Sequence, residues 1–449
     1  MLTQLSVLLF IGVLAAVWLR DYRSFPVLAR KFLCIAPFLP VVSLLNHNVD
    51  HDQWGATARV LPMYVALGLL GLCFLIWKAR GAALRWGSEE IFVLLYIGFC
   101  AVQIPGSPDP AWSLGAWSWS APGYLLFLMA GRATARKEFF GDKFPVFALL
   151  GFTGVSLGLI VTGLATGRAD DLFNTRNFGS IYASNAMLLF LALFVSLCWP
   201  LVRSSVAWSF TILLVSVVCL LASLSRSAIA VVPVYMVAAF PRSRAQWKRA
   251  ALAITLVCAT LAAGLYFAAQ RFDLNAQLFD AWSARWYDGD YAGAYRGARE
   301  LRDTKFSYFH DEVWRDAPWH GQGYGTFRHF SEYTDAHNLL VTEAFENSLL
   351  AALFLVLAFS LPKVLRALFV ADLRPIAASI LGFLFLGQVT GGMLAFRAEG
   401  HYYTAYTGWT LFYLVGFLSE QLRPRSHPSG ASISRTEAAP SLFRRPLPE

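Results

Sequence analysis

Long apolar runs alternate with short polar connections along almost the whole chain. The runs fall at about 3–19, 26–45, 60–77, 90–104, 118–131, 144–166, 181–199, 206–223, 227–240, 251–269, 346–362, 375–395 and 403–418. Many approach the roughly 20 residues a helix needs to cross a bilayer. They lack the short alternating segments of a membrane strand, so the pattern predicts helices and excludes a β-barrel. The expected fold is all-α, a polytopic membrane protein with about 12–13 transmembrane helices. The count turns on 26–45, which carries Pro37 and Pro40. The first run has no basic stretch before it and no small-residue cleavage site after it, so it reads as a retained helix.

The polar connections differ in sign and length on alternate sides. Short basic ones hold Arg20, Arg23, Arg30 and Lys31; Lys78, Arg80 and Arg85; Arg132, Arg136 and Lys137; Arg203; Arg242, Arg244, Lys248 and Arg249; and Lys363, Arg366 and Arg374. The positive-inside bias places these in the cytoplasm. On the opposite side lie the connections 46–59, 105–122 and 166–180, and one large loop, 271–345. That loop is basic and rich in Trp, Tyr and Phe, which predicts short helices at the membrane surface. Four parts follow: transmembrane helices over 1–270, the large loop 271–345, further transmembrane helices over 346–420, and a disordered cytoplasmic tail 421–449 rich in Pro, Ser and Arg.

Composition agrees with the pattern. The chain is 57% hydrophobic and only 14% charged, where a soluble domain carries about 25% charged residues. The net charge of +9 comes largely from cations in the connections, so it argues for membrane topology and against nucleic-acid binding. The cysteines, Cys34, Cys73, Cys100, Cys198, Cys219 and Cys258, all lie in apolar runs with no C-x-x-C pair, which predicts core packing.

Against this background a few polar residues stand out. Residues 220–232 read LLASLSRSAIAVV, with Arg226 inside the run 206–240. The run is too long for one span, so it predicts two short spans joined at SLSRS, on the side of the large loop. A buried arginine costs roughly 2.5–3.5 kcal/mol, and a hairpin tip lowers that cost. The planar guanidinium suits a pyrophosphate; a snorkelling arginine at the lipid headgroups is the plainer alternative. Residues 333–349 read YTDAHNLLVTEAFENSL, with His337 where the large loop meets the next helix and Thr334 or Asp335 as a cap. A helix dipole keeps a first-turn histidine neutral, as a general base must be. Upstream, GQGYGTF over 321–327 is a glycine-rich turn through which backbone can approach a ligand. Two rival metal sites are Asp288 with Asp290, and His47, Asp50, His51 and Asp52. No P-loop, Rossmann or zincin motif is present.

The order SLSRSAI, long loop, GYGTF, then DAHNLL entering a helix resembles the O-antigen ligase and O-antigen polymerase superfamily of bacterial inner-membrane glycosyltransferases. The resemblance is concentrated in about residues 220–350. It implies that the large loop is periplasmic, and that a glycan passes there from undecaprenyl pyrophosphate to a sugar hydroxyl with no metal or other cofactor. It implies His337 as the base and Arg226 as a pyrophosphate ligand. Members often carry an arginine four residues before a tryptophan. Here that run is FHDEVW, with His310 before Trp314, so His310, Arg302 or Arg315 takes that part. Arg168 and Arg176 join as pyrophosphate candidates by their loop placement alone. Attack opposite the leaving group inverts the anomeric centre. The basic loop suits a phosphate-rich acceptor, so lipid A–core is the expected second partner beside the lipid-linked donor and the bilayer. That favours ligase over polymerase. A lipid-linked glycan transporter is the rival class, but the sequence shows no internal repeat.

Overall fold

The computed structural model describes residues 86–135, 206–211, 213–214, 244–271, 319–326, 339–390 and 403–423. All regular structure among them is helical: α1 (Ser88–Gln103), α2 (Pro110–Ala135), α3 (Arg244–Arg271), α4 (Leu339–Ala358), α5 (Leu361–Leu368), α6 (Arg374–Thr390) and α7 (Tyr403–Gln421), with a 3-10 turn at Ile104–Gly106. Among the described residues three stretches are long and apolar enough to cross a membrane: Ser88–Gly106, Arg244–Gly264 and Leu339–Leu368.

Helix α2 begins well before the apolar run at 118–131. The sequence expectation of a connection over 105–122 is therefore corrected: the link is only about 104–109, and the Trp-rich stretch is helix. The reason is local. Asp109 accepts a hydrogen bond from the Trp112 backbone N–H at 3.0 Å, which caps the helix, and Pro110 fills its first position.

The core forms where α7 lies along α2. Their backbones approach closely because Gly131 faces the Tyr413 carbonyl and Gly416 faces the Leu128 carbonyl, where a Cβ would collide. Small residues let membrane helices pack in this way. The Trp409 indole donates to the Ser120 carbonyl at 2.8 Å, and the Thr134 and Tyr413 hydroxyls lie 2.7 Å apart. Helix α1 runs antiparallel to α2, as Glu89 meets Arg132 and the Ile97 carbonyl accepts from Trp117. It also packs on α4. By contrast α3 exposes Leu252, Ile254 and Leu256. Of the described cysteines, Cys100 is buried as expected, whereas Cys258 is exposed on α3.

Helix α4 starts at Leu339, so residues 339–345 belong to a helix and not to the large loop. It is broken at Ser348, whose φ of 84° and ψ of 161° lie in a region that is essentially glycine's. The Ser348 hydroxyl takes the Ala351 N–H at 3.4 Å and so restarts the helix. Such a conformation costs about 1–3 kcal/mol in a residue with a side chain. Ser348→Gly is therefore expected to stabilise the protein by about 1 kcal/mol after the greater freedom of glycine in the unfolded chain is subtracted. Thermal unfolding in detergent checks this, and a lower midpoint for Ser348→Gly contradicts it.

Candidate functional site

The break in α4 creates the site. A continuous helix would direct the Phe345 and Glu346 carbonyls to the N–H groups of residues 349 and 350. Here they accept from the glycine turn: Gln322 N–H reaches Phe345 O at 2.9 Å, and Gly323 N–H reaches Glu346 O at 2.8 Å. The Glu346 carboxylate then accepts Gly325 N–H at 3.0 Å. Buried non-helical backbone is tolerated where such partners come from the protein itself.

The turn needs its glycines. Gly323 and Gly325 have φ of 106° and 72°, and a Cβ on Gly323 would strike Ser107. The turn sits on the α1–α2 connection, where the Trp112 indole donates to the Gly325 carbonyl at 3.1 Å. Tyr324 and Thr326 are fully buried. The sequence expectation that this turn offers its backbone to a ligand is thus revised: the N–H groups of Gln322, Gly323 and Gly325 are committed to α4.

Beneath the turn a band of polar side chains runs between α1, α2 and α4. The Tyr324 hydroxyl lies 2.6 Å from that of Ser120 and 3.3 Å from that of Tyr124. Burial pushes the Tyr324 phenol well above its ordinary pKa, so it remains a neutral hydroxyl. Next to this group, Glu343 Oε2 accepts the Tyr96 hydroxyl at 2.8 Å and the Asn347 amide at 2.9 Å. Glu343, Asn347 and Tyr96 are all fully buried. Among the described residues, Glu343 Oε1, Asn347 Oδ1 and Thr342 Oγ1 have no hydrogen-bond partner. Buried polar atoms usually find one. A buried acid with an unpaired oxygen, on a helix apolar enough to cross a membrane, is a candidate functional group. These acceptors suit a proton or a hydroxyl donor arriving from the turn.

A second polar cluster closes the opposite end of the same helices. Arg132 Nη2 lies 2.6 Å from Glu89, its Nε lies 2.5 Å from Glu90, and Glu420 is 4.0 Å away. Glu89 also pairs with Lys363 and accepts the Ser419 hydroxyl at 2.7 Å. Arg132, Lys363, Arg366 and Arg423, from three parts of the chain, therefore gather at one end, and the glycine turn lies at the other.

The sequence candidates stand in a definite relation to this frame. Leu339, the first residue of α4, follows His337 closely, and α4 seats the glycine turn. His337 itself lies outside the described residues, as do Arg226, Arg168, Arg176, His310, Arg302 and Arg315. The rival acids and histidines at 47–52 and 288–290 lie outside them too. The sequence reading overlooked Tyr96, Glu343, Glu346, Asn347 and the Glu89–Arg132 cluster. Their signal was available: Glu343, Glu346 and Asn347 punctuate an apolar run at helical spacing of three and four. No protein-family model matches the chain, and no curated protein matches it significantly.

Proposed function

We propose that the chain is an O-antigen ligase of the bacterial inner membrane, with about 12–13 spans and its active site facing the periplasm. It moves a glycan from undecaprenyl pyrophosphate to a sugar hydroxyl of lipid A–core. One observation carries the reading. The two stretches that bear the resemblance, GYGTF and the helix following AHN, pack directly on each other through Gly323 N–H and the Glu346 carbonyl. This supports a common site at the end of the molecule that lies away from the gathered cations. The positive-inside bias then directs that end to the periplasm.

The chemistry asks little of the protein beyond placement and charge. The pyrophosphate already leaves well. Arg226 holds it, with Arg168, Arg176 and His310 as further ligands, and their cations offset the charge that develops on the leaving oxygen. His337 takes the proton from the acceptor hydroxyl as its oxygen attacks the anomeric carbon. The bond to the pyrophosphate breaks, and the configuration inverts.

The purified full chain, given lipid-linked O-antigen and lipid A–core in the presence of excess EDTA, is expected to transfer at its unchelated rate. Loss of transfer on chelation, restored by a divalent ion, contradicts the metal-free mechanism and moves attention to Asp288 and Asp290 or to His47 and His51. Absence of transfer under every condition, with lipid-linked repeats joined to one another instead, makes the chain a polymerase.

A further inference from the structure

The end of the molecule opposite the glycine turn holds a cleft of about 180 Å³ lined by Arg132, Lys363, Arg366, Arg423, Ser419 and neighbouring residues. We infer that this cleft binds the phosphate of an anionic phospholipid headgroup. The inference is independent of the transfer reaction.

Charge is the first argument. Four cations line the cleft, and three carboxylates contact them: Glu89, Glu90 and Glu420. Among the described residues one positive charge is left over, which matches the single charge of a phosphodiester. The carboxylates lie behind the cations. Glu89 and Glu90 are buried, whereas the Lys363 side chain is 40% exposed and that of Arg423 is 32% exposed. Arg366 is exposed and makes no ion pair among the described residues. The mouth of the cleft is therefore cationic, with the Ser419 side chain at its wall.

Position is the second argument. The cleft lies where α1 begins, α2 ends and α7 ends, which is headgroup level in the membrane topology proposed above. Basic pockets between helices at this level select anionic lipids. Helix α5 carries both chemistries that a phospholipid presents. Lys363 and Arg366 lie on it, and beside them Leu365 and the next residue after the helix, Phe369, are 50% and 85% exposed. Trp86, the residue before Gly87 of the lining, is 54% exposed. Exposed apolar groups beside a cationic cleft fit acyl chains below a phosphate, and a soluble anion would not need them.

Native mass spectrometry of the detergent-purified full chain measures the affinity for phosphatidylglycerol, phosphatidylcholine and inorganic phosphate. Phosphatidylglycerol is expected to bind tightest. Arg366→Ala weakens it roughly fivefold and Arg366→Glu roughly thirtyfold, while Arg366→Lys keeps it near the original value. Because Arg366 is exposed, these variants are expected to fold; unchanged thermal midpoints without lipid check that. Equal affinity for phosphatidylglycerol and phosphatidylcholine overturns the inference. So does an Arg366→Glu variant that retains phosphatidylglycerol, or inorganic phosphate that displaces it at equal concentration, since the latter makes the cleft a free-phosphate site.

Discussion

His337→Ala is expected to lower glycan transfer by roughly 10²–10⁴-fold, the usual contribution of a positioned general base. The described contacts that seat α4 on the glycine turn come from other residues. The Glu346 carbonyl and carboxylate hold Gly323 and Gly325, and the Trp112 indole holds the other side of the turn. Donor affinity is expected to stay near the wild-type value, because the pyrophosphate is assigned to the arginines. The measurement is transfer rate against pH, together with donor binding. In the wild type, the rate rises with pH as the imidazole loses its proton, and the variant loses that dependence. Full activity in a correctly inserted His337→Ala protein contradicts the assignment.

Arg132→Met carries the largest expected effect on stability. Arg132 is 3% exposed and pairs with Glu89 and Glu90, which are 0% and 3% exposed. Removing it takes one cation from Glu89 and leaves the buried Glu90 carboxylate with no cation among the described residues. Breaking a buried pair costs about 3–5 kcal/mol, because the remaining charge loses its partner without regaining water. Lys363 and the Ser419 hydroxyl still reach Glu89, but Glu90 keeps only the Gly87 N–H at 2.8 Å. Adding Glu90→Gln to Arg132→Met is therefore expected to restore part of the loss, since a neutral amide can remain there at lower cost. Thermal unfolding of the single and double variants checks both statements. A single variant within about 1 kcal/mol of wild type contradicts the view that this cluster ties α1, α2 and α7 together.

Much of the helical pattern was legible because a bilayer-scale apolar run leaves few alternatives. The runs at 90–104, 251–269, 375–395 and 403–418 correspond to α1, α3, α6 and α7 within a few residues at most ends. Helix α2 was legible only in part. Its first turns carry Trp, Gly and Ser and so fell within the expected connection 105–122, although Asp109 and Pro110 marked a helix start. The break at Ser348 left no trace, since serine is not a residue that announces positive φ. Without that break, the bonds from the glycine turn to the Phe345 and Glu346 carbonyls could not be foreseen. The Tyr96–Glu343 contact joins residues 247 apart in sequence, beyond the reach of any local pattern. For the site, the sequence marked the turn and the entry to α4. The buried band beneath them emerged only from the packing.

Deletion of the gene in its native host, followed by gel separation of lipopolysaccharide and undecaprenyl-linked glycans, tests the central claim most directly. The account predicts bare lipid A–core, with long glycan chains accumulating on the lipid carrier. Lipid A–core bearing a single repeat unit, or no change in either pool, contradicts it.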